Sequence, residues 1–371
     1  MKTRVLIFQR LFSHYRKSFY DALAKEFDVR LLYGADASGI RNESAGYAKK
    51  VRQLNLPFGG LKMYFSRHFF TKVPDVVVLD FALQVVNVPL LMLYYRARKK
   101  RVLLWSHGYN RRTGFDPRGR LADRYRKYLI NHSNGLIVYS LGDAELLRSK
   151  GITAPVYVVE AALDSNRIAK LAQQTTHRKD ERYRNHLVFI GRMTKEKDPC
   201  ALIRMFDAFE EPTKRETCIH FIGDGPELDT CKAMLIGHSY AQQFVFHGAL
   251  YDEEQTGRIL AGASLVVILG AVGLAVNHAL LYGVPVVTFS ENGDGRPWHG
   301  PEKEHIIEAK TGFWVPYGDF GWLAHVVQDY LYNERHQQQM AGHIKEYVAA
   351  RLQLNSMVER FSDVIHKTAR P

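Results

Sequence analysis

Short runs of hydrophobic residues alternate along the chain with longer segments in which hydrophobic residues recur every three or four positions. Asp75–Asp80 is hydrophobic between two charged ends, which is typical of a strand buried on both faces of a sheet. Lys17–Phe27 carries Phe19, Leu23 and Phe27 at helical spacing. Because such strands and helices alternate with short joints, the pattern predicts parallel β-α-β units.

The alternation is interrupted once, and this interruption indicates two domains. Residues 165–185 are polar and charged with few large hydrophobic residues, so we interpret them as a linker. We therefore expect an α/β protein with two Rossmann-like, doubly wound domains. Residues 1–170 form the first and residues 171–351 form the second.

Charge separates the two predicted domains. Residues 1–170 contain 30 Lys and Arg against 13 Asp and Glu, whereas the remainder contains 21 against 25. The basic half should attract an anionic partner, which could be nucleic acid, a lipid surface or a phosphorylated substrate. Arg96–Arg101 concentrates five of these charges, and Phe65, Phe69 and Phe70 flank Arg67. The alternative is that these cations solvate a helix end and the aromatic residues belong to the core.

Several classes of protein are disfavoured. Cys200, Cys218 and Cys231 form no C-x-x-C and cannot all pair, so a disulfide-stapled secreted domain is not expected. No hydrophobic run reaches the length of a membrane span. The sequence contains no H-x-H, H-E-x-x-H or D-x-D pattern, so we expect no metal site. It also lacks the phosphate loop of ATPases and the nucleophile elbow of serine hydrolases.

A loop after a predicted strand of the second half is suited to a diphosphate. Gly191 permits close approach of a ligand to the backbone, and Arg192 and Lys197 add two positive charges ahead of a helix. The alternative is an ordinary surface loop with basic residues.

Glycines also mark the next strand–helix joints. Gly223 and Gly225 are typical of a tight turn and are weak indicators on their own. A second glycine turn precedes a helix on which Leu274 and His278 share one face. His278 and Glu302 are expected near the same ligand, although a lone histidine is more often a core or capping residue. In the first half, His107 ends a strand.

Five segments of the second half resemble, in order and spacing, the donor domain of the GT-B glycosyltransferases, most closely family 4. They are FIGRMTKEKDP (189–199), FIGDGPELD (221–229), FVFHGAL (244–250), ILGAVGLAVNHALLYGVPVVT (268–288) and PEKEHIIEAKTGFWVPYGD (301–319). In the first half, WSHG (105–108) and VVEAALD (158–164) resemble the family more loosely. The resemblance implies a GT-B fold, with two Rossmann-like domains facing each other across a cleft. It also implies that a final helix at about 352–371 packs back on the first domain.

The resemblance also implies roles for individual residues. In the family, residues at the positions of Arg192 and Lys197 bind the donor diphosphate, and a histidine at the position of His107 lies beside the transferred sugar. The donor would be a UDP- or GDP-sugar, with no cofactor and no metal required. The further residues implied are Gly191, Gly273 and Leu274 at the diphosphate, Gly223, Gly225, Leu250, Gly270, His278 and Glu302 at the nucleotide or sugar, and His14 and Arg16 on the acceptor side.

The sequence departs from the family at one motif. The family carries two glutamates, E-x7-E, and the aligned positions here are Gly270 and His278. A histidine can still hydrogen-bond a ribose hydroxyl, whereas a glycine cannot replace a carboxylate.

The resemblance implies a glycosyltransferase that takes part in the synthesis of a bacterial surface polysaccharide, such as lipopolysaccharide or capsule. A sugar would be transferred, with retention, to a glycan or polyprenyl-diphosphate-linked acceptor. The protein would be cytoplasmic and peripheral on the inner face of the cytoplasmic membrane, held by anionic lipid. The alternatives are an inactive GT-B-like binding or partner protein and a nucleic-acid-binding protein, although no nucleic-acid recognition module is present and no nucleic acid is expected.

Overall fold

The computed structural model describes residues 2–34, 42–57, 60–174 and 182–369. The chain divides into two compact units, the first comprising Met1–Ala161 and Leu354–Pro371 and the second comprising Ala162–Gln353. The division therefore precedes the boundary that the sequence suggested at residues 170–171.

The first unit is built on a parallel sheet. Its strands are β1 (Arg4–Gln9), β2 (Asp28–Tyr33), β3 (Ala48–Lys50), β4 (Arg52–Asn55), β5 (Lys62–Phe65), β6 (Val76–Asp80), β7 (Arg101–Trp105), β8 (Gly135–Val138) and β9 (Val156–Val158). Within the described ranges, seven of them form one sheet in the order β3-β2-β1-β6-β7-β8-β9, and β4 and β5 pair as an antiparallel hairpin. Every residue of β6 is buried, as its hydrophobic run predicts.

Helices follow the strands of this sheet. They are α1 (Lys17–Glu26), α2 (Val88–Ala97), α3 (Leu121–Asn131) and α4 (Leu141–Ser149). Helix α1 buries Phe19 and Leu23 at the predicted spacing, together with Tyr20. Ser140 caps α4 by accepting a hydrogen bond from the backbone N–H of Asp143.

The linker predicted at residues 165–185 is wrong in its first half, because Ser165–Gln174 forms helix α5. Its hydrophobic residues are few but fall on one face, and Ile168 is buried. Residues 175–181 of the expected linker lie outside the described residues, and a strand begins again at Asn185.

The second unit repeats the architecture. Its strands are β10 (Asn185–Ile190), β11 (Thr217–Ile222), β12 (Phe244–Gly248), β13 (Leu265–Val267), β14 (Val286–Phe289) and β15 (Gly312–Val315). In the part of the chain that the structure describes, they form a six-stranded parallel sheet in the order β12-β11-β10-β13-β14-β15.

The helices of the second unit cover this sheet. They are α6 (Ala201–Asp207), α7 (Glu211–Glu216), α8 (Leu228–Met234), α9 (Glu253–Ala261), α10 (Ala275–Leu281), α11 (Phe320–Tyr332) and α12 (Glu334–Arg351). Helix α5 packs against α9 and α10, which explains why it belongs to this unit.

The last helix, α13 (Leu354–Ala369), belongs to the first unit, as the sequence suggested. The Phe361 ring packs edge-on against Phe19 of α1 and lies 5.1 Å from the Trp105 ring of β7. Ser362 donates a hydrogen bond of 2.7 Å to the carboxylate of Glu26 at the end of α1. Both hydrophobic and polar contacts therefore hold the C-terminal helix on the first sheet.

The cysteines and the hydrophobicity of the helices bear on two further expectations. Cys200 and Cys231 form a disulfide within the second unit, a pairing that the sequence analysis did not predict, and Cys218 is buried. In the residues that the structure describes, no helix combines the length and hydrophobicity needed to cross a bilayer.

Each sheet has a point at which the order of its strands reverses. β1 and β6 are neighbours in the first sheet, and β10 and β13 are neighbours in the second. Open parallel sheets bind ligands beyond the carboxyl ends of their strands at such a switch point. The loops after these four strands are therefore the places to look for a site.

Candidate functional site

The loops after β10 and β13 meet at the switch point of the second unit. Lys197 Nζ donates a hydrogen bond of 2.9 Å to the carbonyl oxygen of Ala271. The backbone N–H of Ala271 in turn donates to the carbonyl oxygen of Glu196 at 2.7 Å. Gly273 lies beside the Lys197 ammonium and Gly191 beside the aliphatic part of the same side chain. The structure thus brings Gly191, Lys197 and Gly273 together.

Close packing of backbones explains the other glycines of this edge. Gly223 has a φ of +147°, and a Cβ on it would overlap the carbonyl oxygen of Gly191. Gly225 is equally close to the backbone of the loop after β10. A Cβ on Gly270 would overlap the carbonyl oxygen of Glu196. These three glycines therefore allow neighbouring loops to approach each other, whatever else they contact.

Two cations lie in the loop after β10. Arg192 is exposed, whereas the side chain of Lys197 is half-buried. Burial lowers the pKa of Lys197, and the nearby charge of Arg192 acts in the same direction while Glu302 opposes it. Because a half-buried ammonium has lost part of its hydration, an anion placed between the two cations would replace the lost solvation.

Glu302 is a buried carboxylate beside this loop. It lies in the 3-10 turn Pro301–His305 and is 8% exposed. The backbone N–H of Gly300 donates to the carbonyl oxygen of Val272 at 2.9 Å, which holds the turn against the segment after β13. A Cβ on Gly300 would meet the Glu302 carboxylate. Glu302 therefore lies at the same edge as Lys197.

His278 has a carboxylate partner that the sequence did not predict. Its Nε2 lies 2.6 Å from Oε1 of Glu253, the first residue of α9, and the Tyr282 hydroxyl donates to the same oxygen at 3.0 Å. Burial and the Glu253 charge raise the pKa of Tyr282. Leu274 precedes α10 and Leu250 precedes α9, and both are half-buried. His278 thus faces α9, whereas Glu302 lies on the side of Lys197.

The first unit has a polar cavity of about 300 Å³ at the carboxyl ends of β1, β6 and β7. Arg16 and His107 both line it, together with Tyr139. The Arg16 guanidinium lies over the Trp105 ring, 4.9 Å from its centre. His14 is exposed and is not among the lining residues, so the structure does not bring it to this cavity.

The ring of His107 is oriented by a buried carboxylate. Its Nδ1 lies 2.9 Å from Oδ2 of Asp143, which is 2% exposed. Tyr109 and Arg111 donate to the other carboxylate oxygen at 2.7 and 3.1 Å. Burial alone would raise the pKa of Asp143, but the His107 hydrogen bond and the Arg111 charge outweigh it and hold the pKa below its ordinary value. Asp143 stays ionised and fixes the His107 tautomer that carries its proton on Nδ1.

An ion pair between Arg10 and Asp80 lies at the switch point of the first unit. Nε of Arg10 lies 3.0 Å from Oδ2 of Asp80, and the backbone N–H of Arg10 donates to the same oxygen at 3.0 Å. Asp80 ends β6 and Arg10 follows β1, so the pair joins the two strands at which the order reverses. Arg10 and Asp80 both line the cavity.

The chain is similar to known proteins in both sequence and fold. Residues 172–347 match the family described as glycosyl transferases group 1. This match covers nearly all of the second unit. A search of curated protein sequences finds no match.

Solved structures share the fold over the whole chain. Anabaena HepE in complex with UDP has a TM-score of 0.69 and 16% identity, covering 99% of this chain and 100% of its own. Sucrose-phosphate synthase from Thermosynechococcus elongatus has a TM-score of 0.69 and 14% identity, covering 99% of each chain. The lipopolysaccharide outer core galactosyltransferase WaaB has a TM-score of 0.62 and 14% identity, covering 98% of this chain and 99% of its own. The expected GT-B fold and the expected glycosyltransferase class are confirmed.

Proposed function

We propose that this chain, a glycosyltransferase with a group 1 domain in its second unit, transfers a sugar from a UDP-sugar to an acceptor of bacterial surface-polysaccharide synthesis. The observation that carries the proposal is the position of Lys197, which joins the loops after β10 and β13 at the switch point of the second sheet. HepE, which shares this fold, was solved in complexes with UDP and with UDP-glucose. This supports UDP rather than GDP as the nucleotide.

The donor diphosphate lies at Gly191, Arg192 and Lys197 in this proposal. Negative charge develops on the diphosphate as the bond to the sugar breaks. The ammonium of Lys197 and the exposed guanidinium of Arg192 stabilise that charge, so the protein itself supplies the neutralisation. Transfer proceeds with retention, and the leaving phosphate takes the proton of the acceptor hydroxyl, so no protein nucleophile is needed.

Carboxylates near the site take over the roles of the missing motif glutamates. Gly270 cannot carry a side chain without displacing the Glu196–Lys197 backbone. Glu302, buried beside Lys197, accepts the hydrogen bond from a sugar hydroxyl instead. His278 and its partner Glu253 hold the ribose.

The acceptor binds the cavity of the first unit in this proposal. Arg16 and His107 line it, and the Asp143 carboxylate holds the His107 ring in place. Arginines at the cavity suit an acceptor that carries phosphate, such as a polyprenyl-diphosphate-linked glycan. A lipopolysaccharide outer core glycan is the second candidate acceptor, because WaaB, which shares this fold, is described as an outer core galactosyltransferase.

The first unit attaches to the inner face of the cytoplasmic membrane through anionic lipid. Phe65 and Phe70 are 47% and 53% exposed, and Leu90 and Leu93 on α2 are 63% and 69% exposed. Phe69, which the sequence suggested as a membrane contact beside Arg67, is a core residue. Exposed hydrophobic residues beside lysines and arginines are typical of a surface that enters lipid headgroups, where each cation contributes roughly 1 kcal/mol.

Vesicle co-sedimentation tests this attachment. The wild type should bind vesicles containing anionic lipid, bind less as salt increases, and ignore neutral vesicles. Replacing Phe65 and Phe70 with Ser should weaken binding, whereas Ile236→Ser, at an exposed residue of the second unit, should not. Equal recovery with neutral and anionic vesicles contradicts the attachment.

A panel of sugar nucleotides tests the transfer itself. Purified protein is incubated with UDP-glucose, UDP-galactose, UDP-N-acetylglucosamine or GDP-mannose, with lipid extract as acceptor and a chelator present, and nucleotide release is measured. We expect release from one UDP-sugar, stimulated by the extract. Binding of UDP without turnover of any donor would favour an inactive GT-B-like protein instead.

A further inference from the structure

Three histidines and a cysteine lie side by side on one face of the second sheet. His186 pairs in register with Cys218, and His220 follows two positions further along β11. The periodicity of a strand therefore places all three on the same face. His186 is 4% exposed and Cys218 is 1% exposed. His247 on β12 lies next to His220.

These side chains bring metal-ligating atoms together. Nδ1 of His186 lies 3.0 Å from Nε2 of His220, and the ligand atoms of His186, Cys218 and His220 all lie within 4.8 Å of one another. Two bonds of about 2.0–2.1 Å to a tetrahedral zinc ion would set two nitrogens roughly 3.3 Å apart. The two imidazoles need to separate by only a few tenths of an ångström, and Cys218 needs to move closer by about 1 Å.

The position of His247 completes the arrangement. Its Nε2 lies 3.0 Å from Nδ1 of His220, the nitrogen of that ring turned away from the cluster. A metal-bound imidazole usually donates its other N–H to such an acceptor, which fixes its tautomer. With Nδ1–H donated to His247, the lone pair of His220 Nε2 points into the cluster.

We propose that His186, Cys218 and His220 bind a zinc-like divalent transition metal ion, with His247 as the hydrogen-bond partner that orients His220. Two imidazoles and a thiolate favour zinc or cobalt over magnesium or calcium, which prefer oxygen ligands. The proposal departs from the expectation, based on sequence spacing, that no metal site exists. Cys218 and His220 are neighbours on β11, but His186 comes from β10, so no short sequence motif contains all three ligands.

The role of this ion is structural and separate from transfer. The cluster lies near the amino ends of β10 and β11, whereas Gly191 and Gly223 follow the carboxyl ends of the same strands. His186 and Gly191 are roughly 16 Å apart along the strand direction. The ion would join β10 to β11 without reaching the diphosphate.

Cobalt titration of the whole protein tests the proposal. Protein treated with a strong chelator and kept reduced with a phosphine is titrated with Co²⁺, and the thiolate-to-cobalt absorption is followed in the near ultraviolet. We expect one equivalent to bind with this absorption, and Zn²⁺ to displace it. Cys218→Ser should abolish the absorption while keeping the far-ultraviolet circular dichroism. His247→Asn should weaken binding by about 10- to 100-fold.

Two variants serve as matched controls. His238→Gln alters a histidine of the same unit that pairs with Asp207. Cys231→Ser removes a cysteine whose thiol is free once the disulfide with Cys200 is reduced. Both should bind cobalt like the wild type. If Cys218→Ser does not fold, His220→Asn takes its place and should lose the absorption. The proposal is overturned if the wild type shows no thiolate-to-cobalt absorption, which would leave a hydrogen-bonded row of neutral imidazoles, or if that absorption persists in Cys218→Ser.

Discussion

Lys197 Nζ lies 2.9 Å from the carbonyl oxygen of Ala271, so one ammonium group joins the two loops at the switch point of the second sheet. A neutral side chain would fill the same space without the cost of burying a charge. Because burial lowers the pKa of Lys197, the charge is held against a desolvation cost, which an anionic ligand would offset. This links the geometry of the loops to the donor diphosphate.

The first prediction is that UDP affinity falls at alkaline pH because Lys197 loses its proton. The pKa of Lys197 is lowered from 10.5, so the side chain loses its proton, and the site its charge, at a lower pH than an exposed lysine. UDP affinity should therefore fall as the pH rises through this lowered pKa. Calorimetric titrations over a pH series should show a flatter profile for Lys197→Arg, because arginine stays protonated. Parallel profiles for the two proteins would contradict the prediction.

The second prediction concerns the lost glutamate at Gly270. Gly270→Glu restores the family residue but introduces a Cβ that overlaps the Glu196 carbonyl oxygen. We expect it to lower both Tm and activity, and Gly270→Ala to lower Tm by a similar amount, corresponding to about 1–3 kcal/mol. Gly293→Ala is the control, because a Cβ there meets nothing within 4 Å. An active, equally stable Gly270→Glu would show that the loop has room.

The third prediction is a pH-dependent loss of stability in Asp143→Asn. Asp143 has a pKa lowered from 3.8, so its ionised form contributes stability that is present above the unfolded pKa and is lost as the pH falls through the folded one. At neutral pH the variant should lose about 1–3 kcal/mol of unfolding free energy. The difference should shrink below about pH 4. Urea unfolding at several pH values measures it, with the exposed Glu145→Gln as control.

The fourth prediction assigns the ribose to Glu253 and His278. Glu253→Gln should weaken UDP binding by about tenfold, since a hydrogen bond to a charged group is lost. It should weaken binding of 2′-deoxy-UDP much less, because that ligand lacks the hydroxyl. Glu254→Gln, one residue further along α9, should affect neither ligand. An equal loss for both nucleotides in Glu253→Gln would place Glu253 away from the ribose.

Much of the fold could be predicted because long strands have a strong hydrophobic signal. The strand Val76–Asp80 is buried at every residue, as its hydrophobic run predicts. The sequence predicts a linker where helix α5 forms, because the buried side of this helix depends on few hydrophobic residues, chiefly Ile168.

The site was harder to predict, because its partners come together only in three dimensions. Glycines and cations after strands were visible in the sequence, and Lys197 lies where its loop suggested. Asp143 and Glu253 look like ordinary acidic residues in the first turn of a helix, where carboxylates are common. Their contacts with His107 and His278 depend on how helices pack, which sequence spacing does not encode.

The most direct test of the account is calorimetric titration of UDP into the wild type, Lys197→Met and Lys195→Met in the presence of a chelator. Lys195 is an exposed neighbour in the same loop, so its variant controls for the loss of one positive charge. The account predicts that Lys197→Met weakens UDP binding by at least about tenfold, the equivalent of a charge-assisted contact of about 1.5–3 kcal/mol, and that Lys195→Met binds like the wild type. Equal UDP affinity for the wild type and Lys197→Met would contradict the placement of the donor diphosphate at the switch point of the second sheet.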